Sequence, residues 1–153
     1  MIYCLDTSAF VQPWHERYPI DVFAPYWNKV KEWTDDGRII APEEVMVEVA
    51  KIDDDLLAWV KRHKSMFQPP DERVQRVVQE ILSNHSRLVD TKKGRSIADP
   101  WVIGQASVSE ATVVTEELPS RGKSPKIPDV CEDMGIPYTN VLGLIRAMRL
   151  RFR

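Results

Sequence analysis

The chain has 153 residues, 43% of them hydrophobic and five of them Trp, which is enough apolar material to fold as one domain, residues 1–153, around one core. Its net charge of -2 at pH 7 gives no global basic signal for nucleic acid, although a nuclease with an acidic metal site can carry such a charge. Two isolated cysteines exclude a disulfide framework and a zinc–thiolate site. The apolar N-terminal stretch is broken by Asp6 and is too short for a signal peptide or a membrane span, so the expected location is a reducing cytoplasm.

Short apolar segments and amphipathic segments alternate along the chain. The apolar segments predict strands at residues 2–6, 38–41, 87–91, 111–115 and 137–141. Apolar residues at helical spacing, with Pro, Asp or Gly at the segment ends, predict helices at residues 22–33, 42–51, 56–66, 72–84, 101–109, 127–134 and 141–151. This alternation predicts an α/β protein with three layers, α/β/α, and a central, mostly parallel sheet of four or five strands.

Acidic residues follow two of the predicted strands. Asp6 ends the first strand, and Glu116 follows the strand at residues 111–115. In an open parallel sheet, ligands bind beyond the carboxyl ends of the strands, at the point where the strand order reverses. If these two strands are neighbours, both carboxylates point into that crevice. A carboxylate at the buried end of a strand destabilises the fold unless something compensates its charge.

Two further acids come from predicted helices. Glu44 and Glu48 are four residues apart and therefore share one helix face, while Asp99 begins the helix that precedes the 111–115 strand. These candidate ligands are all oxygen, without His or Cys nearby in the sequence, which suits Mg²⁺ or Mn²⁺ better than zinc. The sequence thus predicts a divalent-metal site formed by Asp6, Glu48, Asp99 and Glu116.

Each acid also has an ordinary structural interpretation. Asp99 precedes Pro100 and is typical of a helix N-cap with proline at the next position. Glu48 alone is typical of a solvated helix face, and Glu116 with Glu117 is typical of an exposed turn. The metal-site hypothesis therefore depends on the four acids occurring together.

Four segments follow one another in a recognisable order along the chain. They are Asp6-Thr7-Ser8 after the first strand, Glu48 in the helix after the second, DPWVIGQA beginning at Asp99, and the strand ending VVTEE at Glu116 and Glu117. In this order they resemble the PIN-domain ribonucleases, and especially the VapC-like toxins of toxin–antitoxin pairs. The resemblance covers nearly the whole chain. It implies a PIN-like fold, an Mg²⁺ or Mn²⁺ cofactor, and hydrolysis of RNA phosphodiester bonds with Asp6, Glu48, Asp99 and Glu116 as catalytic and metal-binding residues.

The fourth acid stays open at this point, because Glu117 and the downstream Asp129 are further candidates. Thr7 or Thr115 could orient a ligand or a water by hydrogen bonding. RNA phosphates would meet basic side chains from three groups. These are Lys92, Lys93 and Arg95, then Lys123 and Lys126, and then Arg146, Arg149, Arg151 and Arg153.

The resemblance also implies partners, namely an antitoxin protein and a second copy of the chain in a homodimer. The apolar helices at residues 56–66 and 74–82 could form the dimer contact, although periodicity does not separate a core from an interface. One alternative keeps the fold without catalysis, as a PIN-like RNA-binding or scaffold module. A haloacid dehalogenase-type phosphotransferase is disfavoured because Ser8 stands where that class has a second Asp.

Overall fold

Five short parallel strands form one sheet in this computed structural model, which describes residues 1–89, 97–120 and 124–152. The strands are β1 (Tyr3–Leu5), β2 (Ile39–Pro42), β3 (Phe67–Gln68), β4 (Thr112–Val114) and β5 (Tyr138–Thr139). They lie in the order β3-β2-β1-β4-β5, and Tyr3 pairs with both Ile39 and Thr112. The chain runs outward from β1 to β3 and then returns to the other side of β1. The strand order therefore reverses between β1 and β4.

Eight α-helices within the described ranges complete a three-layer α/β/α architecture, which confirms the predicted fold class. None of these helices is both long enough and apolar enough to cross a membrane. A π-helical segment, Pro13–Arg17, joins the first two. The α-helices are α1 (Ser8–Gln12), α2 (Ile20–Asp35), α3 (Glu43–Ile52), α4 (Asp54–Arg62), α5 (Glu72–Asn84), α6 (Asp99–Ser109), α7 (Ile127–Met134) and α8 (Val141–Ala147).

Helix α6 lies against the middle of the sheet, where it contacts β1, β2 and β4, and its outer side packs along α5. Gly104 permits this close approach of the two helices. A Cβ atom at Gly104 would lie 2.9 Å from Val78 Cγ2 and 3.4 Å from the Val74 carbonyl oxygen of α5. The packing fixes the position of α6 and, with it, the position of the acid at its first residue, Asp99.

One predicted strand is wrong. Within residues 87–91, Arg87 and Leu88 belong to a 3-10 turn, Ser86–Leu88, and Val89 is not in a strand, while residues 90–91 lie outside the described residues. The apolar pattern arises there because Leu88 is fully buried in the core. The third strand is instead Phe67–Gln68, which pairs with β2 and is too short to produce an alternating pattern.

Two predicted helices are shorter than their patterns suggested. The helix predicted at residues 56–66 ends at Arg62 and is followed by a 3-10 turn, Lys64–Met66. The helix predicted at residues 141–151 ends at Ala147, and Arg149 then takes a left-handed backbone conformation with φ 57°. Such a conformation cannot continue an α-helix.

Candidate metal centre

A cleft of about 260 Å³, here named the acidic cleft, opens at the carboxyl edge of the sheet beside the end of β1. It lies where the strand order reverses, the position at which open parallel sheets bind ligands. Carboxylates reach it from the end of β1, from α3, from α6 and from the segment after β4. The lining residues are Asp6, Thr7, Ser8, Val11, Gln12, Glu48, Ile52, Asp99 and Glu117.

Asp6 directly follows β1 and is the most deeply buried of these acids, with 3% of its surface exposed. Its Oδ1 accepts hydrogen bonds from Ser8 Oγ (2.7 Å) and from the Ala9 N–H (2.9 Å), and its Oδ2 accepts one from Thr115 Oγ1 (2.6 Å). Burial raises the pKa of Asp6 to about 7, although the hydrogen bonds from Thr115 and Ser8 lower it, and the Glu117 charge raises it further. A cation in the cleft would supply the compensation that this buried carboxylate needs.

Glu48 is a half-buried residue of α3 that faces the end of β1. Thr7 Oγ1 donates a hydrogen bond of 2.6 Å to Glu48 Oε1, and because Thr7 adjoins Asp6, this bond ties α3 to the strand end. Glu44, one turn earlier, does not line the cleft. Its Oε2 is buried without a hydrogen-bond partner among the described residues, and burial raises the pKa of Glu44.

Asp99 is the first residue of α6 and is 6% exposed. Ala98, not Asp99, occupies the N-cap position, so the helix begins one residue earlier than the cap interpretation placed it. A carboxylate in the first turn still interacts favourably with the helix N-terminus. The structure thus places Asp99 at the cleft together with Asp6 and Glu48.

Glu116 and Glu117, although adjacent, point to different places. Glu117 lines the acidic cleft, and its Oε2 accepts a hydrogen bond of 3.1 Å from the N–H of Ile127 at the start of α7. Glu116 does not line the cleft. Its Oε1 accepts a hydrogen bond of 3.0 Å from the N–H of Val141 at the start of α8, and its Oε2 lies 3.4 Å from Arg17 Nη1. The geometry therefore favours Glu117 as the fourth acid of the cleft.

Asp129, the third candidate for that role, accepts hydrogen bonds from residues that are close to it in the sequence. Its Oδ2 accepts hydrogen bonds from the N–H and the hydroxyl of Ser120 and from the N–H of Lys126, which is the N-cap residue of α7. This carboxylate links Ser120 to the start of α7 and is not part of the cleft lining.

The donor set of the cleft fits Mg²⁺ or Mn²⁺ in kind, because its four acids offer oxygen only and the lining includes neither His nor Cys. Over the part of the chain that the structure describes, no three His, Cys, Asp or Glu side chains are grouped so as to hold an ion directly. Mg²⁺ usually keeps several of its waters and takes only one or two carboxylates. The cleft therefore suits a hydrated ion whose waters reach the remaining acids.

The structure describes four of the basic residues predicted to meet RNA phosphates. Lys126 is half-buried at the start of α7, and Arg146, Arg149 and Arg151 are exposed near the end of the chain. Lys92, Lys93, Arg95, Lys123 and Arg153 lie outside the described residues.

Two residues that contact the predicted acids were not singled out by sequence reasoning as part of the site. Ser8 orients Asp6, and a hydroxyl two residues after a strand-ending Asp was an available signal. Arg17 pairs with Glu116, which is 99 residues away in the chain, so no local pattern could indicate the contact.

A larger cavity of about 470 Å³ lies between the start of α2 and the last described residues. Its lining is mainly apolar with two basic residues, and it offers no carboxylate to a metal. The lining residues are Val22, Phe23, Pro25, Lys29, Leu150, Arg151 and Phe152.

Three solved structures are similar to this chain over almost its whole length. VapBC2 from Rickettsia felis, bound to a DNA fragment from its promoter, has 16% sequence identity and a TM-score of 0.57, covering 92% of this chain and 98% of that one. VapBC-1 from nontypeable Haemophilus influenzae has 16% identity and a TM-score of 0.54, with the same coverage of 92% and 98%. FitAcB from Neisseria gonorrhoeae has 13% identity and a TM-score of 0.55, covering 91% and 97%.

These likenesses define the fold class, which is that of the PIN domain, as the sequence resemblance implied. At such low sequence identity, these three structures are evidence for the fold of this chain and for nothing further. The family model described as Domain of unknown function (DUF4411) matches residues 3–152, and the chain belongs to that family. No curated protein sequence matches the chain.

Proposed function

We propose that this chain is a metal-dependent endoribonuclease, the toxin of a toxin–antitoxin pair, and that residues 1–153 form one PIN-like catalytic domain. The supporting observation is the acidic cleft, where carboxylates from four separate segments meet at the switch point of a parallel sheet. Asp6 accepts hydrogen bonds from Ser8, Ala9 and Thr115, but these do not offset the cost of burying its charge, since its pKa is still raised. Its position is better explained by a cation and a polyanionic substrate.

Asp6, Glu48, Asp99 and Glu117 would hold Mg²⁺ or Mn²⁺, directly or through water. When bound, such an ion lowers the pKa of a coordinated water and neutralises charge on a phosphodiester.

The chain's own residues prepare that site. Ser8 and Thr115 each donate a hydroxyl hydrogen bond to Asp6, which orients its carboxylate and favours its ionised form. Thr7 holds Glu48 in the same way. Glu116, which contacts Arg17 and the start of α8, would lie outside the ligand set and act as a positioning residue for Arg17.

An antitoxin protein is the expected partner, since two of the similar structures are VapBC complexes. A homodimer stays a prediction. The apolar faces of α4 and α5 are used inside the chain, where Leu56, Trp59, Val78 and Ile81 are buried. A dimer contact would have to use other side chains. The expected location is a reducing cytoplasm, in keeping with two buried cysteines that are both free.

The decisive experiment is RNA cleavage by the purified chain. We expect cutting in Mg²⁺ or Mn²⁺ that stops in EDTA. Asp99→Asn should abolish cutting and leave much of the RNA affinity, because basic side chains supply most of that affinity. The substitution removes a favourable helix-end charge worth about 0.3–1 kcal/mol, so the variant should stay folded. RNA that is bound and left intact by the parent would instead favour the scaffold alternative.

A further inference from the structure

The π-helical segment Pro13–Arg17 carries two basic side chains, His15 and Arg17. Each of them contacts an acid that is adjacent in the sequence to a cleft-lining residue. His15 Nε2 lies 2.8 Å from Asp53 Oδ2, and Arg17 Nη1 lies 3.4 Å from Glu116 Oε2. Asp53 directly follows Ile52, and Glu116 directly precedes Glu117. Since Ile52 and Glu117 line the cleft, the segment is attached beside two of its walls.

Glu116 connects Arg17 to the buried acid by a continuous series of contacts. The Glu116 side chain is 4% exposed, and its backbone N–H donates a hydrogen bond of 2.9 Å to Ser8 Oγ. Ser8 in turn donates to Asp6 Oδ1 at 2.7 Å. Arg17 is therefore linked to the rim of the cleft through Glu116 and Ser8, and it is not among the lining residues.

The Arg17 guanidinium keeps most of its hydrogen-bonding capacity. Its side chain is 54% exposed, and its one ion pair among the described residues is the single 3.4 Å contact with Glu116. A guanidinium has five N–H donors in a planar fork, and this geometry matches two oxygens of a phosphate. The acidic cleft itself repels phosphate, so a rim cation is the feature that a phosphodiester substrate needs there.

We propose that Arg17 binds an RNA phosphate adjacent to the cleaved one, with Glu116 as the residue that positions it. The inference rests on the proposed function, because it assigns a substrate contact to the same cleft. It adds a binding residue that lies outside the basic clusters visible in the sequence.

Binding of a labelled single-stranded RNA of mixed sequence tests this, measured at several salt concentrations in the Asp99→Asn background so that the RNA stays intact. Arg17→Gln should weaken binding several-fold and reduce the slope of log affinity against log salt by about 0.7, the value for one phosphate contact on a single strand. The matched control is Arg62→Gln, which removes the same charge. Arg62 is exposed at the end of α4, just before β3 begins, and so lies at the opposite edge of the sheet.

Arg17→Lys sharpens the test, because it keeps the charge and loses the fork. It should retain the parent slope and lose part of the affinity. If Arg17→Gln does not fold, the affinity of Arg17→Lys against that of Arg62→Lys decides the question. Equal affinities and slopes for the Arg17 and Arg62 variants would overturn the inference.

Failure of the proposed function would look different. An Arg17-dependent slope in a parent protein that never cuts RNA would support a phosphate contact at Arg17, but it would remove the nuclease and, with it, the position of that phosphate beside a cleaved one. A parent that cuts RNA with a KM indifferent to Arg17→Gln would remove this inference alone. A parent that binds no RNA would overturn both.

Discussion

Asp6 at the acidic cleft and the contact between α5 and α6 are both buried, but burial has opposite consequences in the two regions. At the cleft, Asp6 is 3% exposed and its pKa is raised to about 7, so its charged form is held at the expense of stability. At the helix contact, Val74 and Val78 pack against Gly104 without any charge between them. Changes in the first region should therefore alter chemistry, and changes in the second should alter stability.

Replacement of the cleft's most buried acid should have the largest effect on activity. Asp6→Asn keeps the shape of the side chain and removes its charge, so we expect no detectable RNA cleavage in Mg²⁺ or Mn²⁺ from a protein that remains folded. Cleavage assays paired with circular dichroism check both parts. Parent-like cutting by Asp6→Asn would mean that the cleft does not carry the chemistry.

A cavity beside the contact between α5 and α6 should reduce stability and leave RNA cleavage unchanged. Ile81 of α5 is 1% exposed, and Ile81→Ala should reduce the free energy of unfolding by about 2–5 kcal/mol, whereas Ile81→Val should reduce it by about 0.5–1.5 kcal/mol. Urea unfolding measures both values. The folded fraction of each variant should cut RNA at the parent rate, and a specific loss of cutting would break the division between the regions.

Glu116 and Glu117 are adjacent in the sequence, but only Glu117 lines the cleft, so replacing each one compares a cleft residue with its neighbour. Glu117→Gln removes a carboxylate that lines the cleft and should weaken Mn²⁺ binding by at least about tenfold. Glu116→Gln removes one that contacts Arg17 and α8, and should change Mn²⁺ affinity less. Titration calorimetry of both variants decides between them. The reverse ranking would restore Glu116 as the fourth acid.

A further expected effect is on the pH dependence of stability without metal. The folded pKa of Asp6, about 7, lies above its ordinary value of 3.8. The stability contributed by protonated Asp6 is therefore fully present below the ordinary pKa and is lost as the pH rises through about 7. In EDTA, the parent should lose stability relative to Asp6→Asn between about pH 5 and about pH 8, by about 2–3 kcal/mol. An equal difference between the two proteins at both pH values would contradict this account.

The sequence predicts the fold well where periodic patterns are long. The predicted bounds of α5 and α7 are those of the structure. Strands β1 and β4 are neighbours, which is the condition under which the carboxylates after both strands were expected to point into one crevice. The third strand was misplaced for two reasons. Strand β3 has only two residues, and the segment around the buried Leu88 has an apolar pattern like that of a strand.

The candidate site was partly visible in the same way. Asp6, Glu48 and Asp99 are marked by their places at strand and helix ends or on a helix face, and the structure places all three at one cleft. The choice between Glu116 and Glu117 could not be made from sequence, because it depends on which carboxylate meets Arg17 and which meets the start of α7. Those contacts join residues that are distant in the sequence and meet only in the folded chain.

Diffraction from crystals soaked in Mn²⁺ tests the central claim most directly, which is that the acidic cleft is a divalent-metal site. The account predicts an anomalous peak within direct or water-bridged reach of Asp6 and Asp99, and nearer to Glu117 than to Glu116. An empty cleft together with a peak elsewhere, for example at the His85 and Asp133 pair, would contradict it.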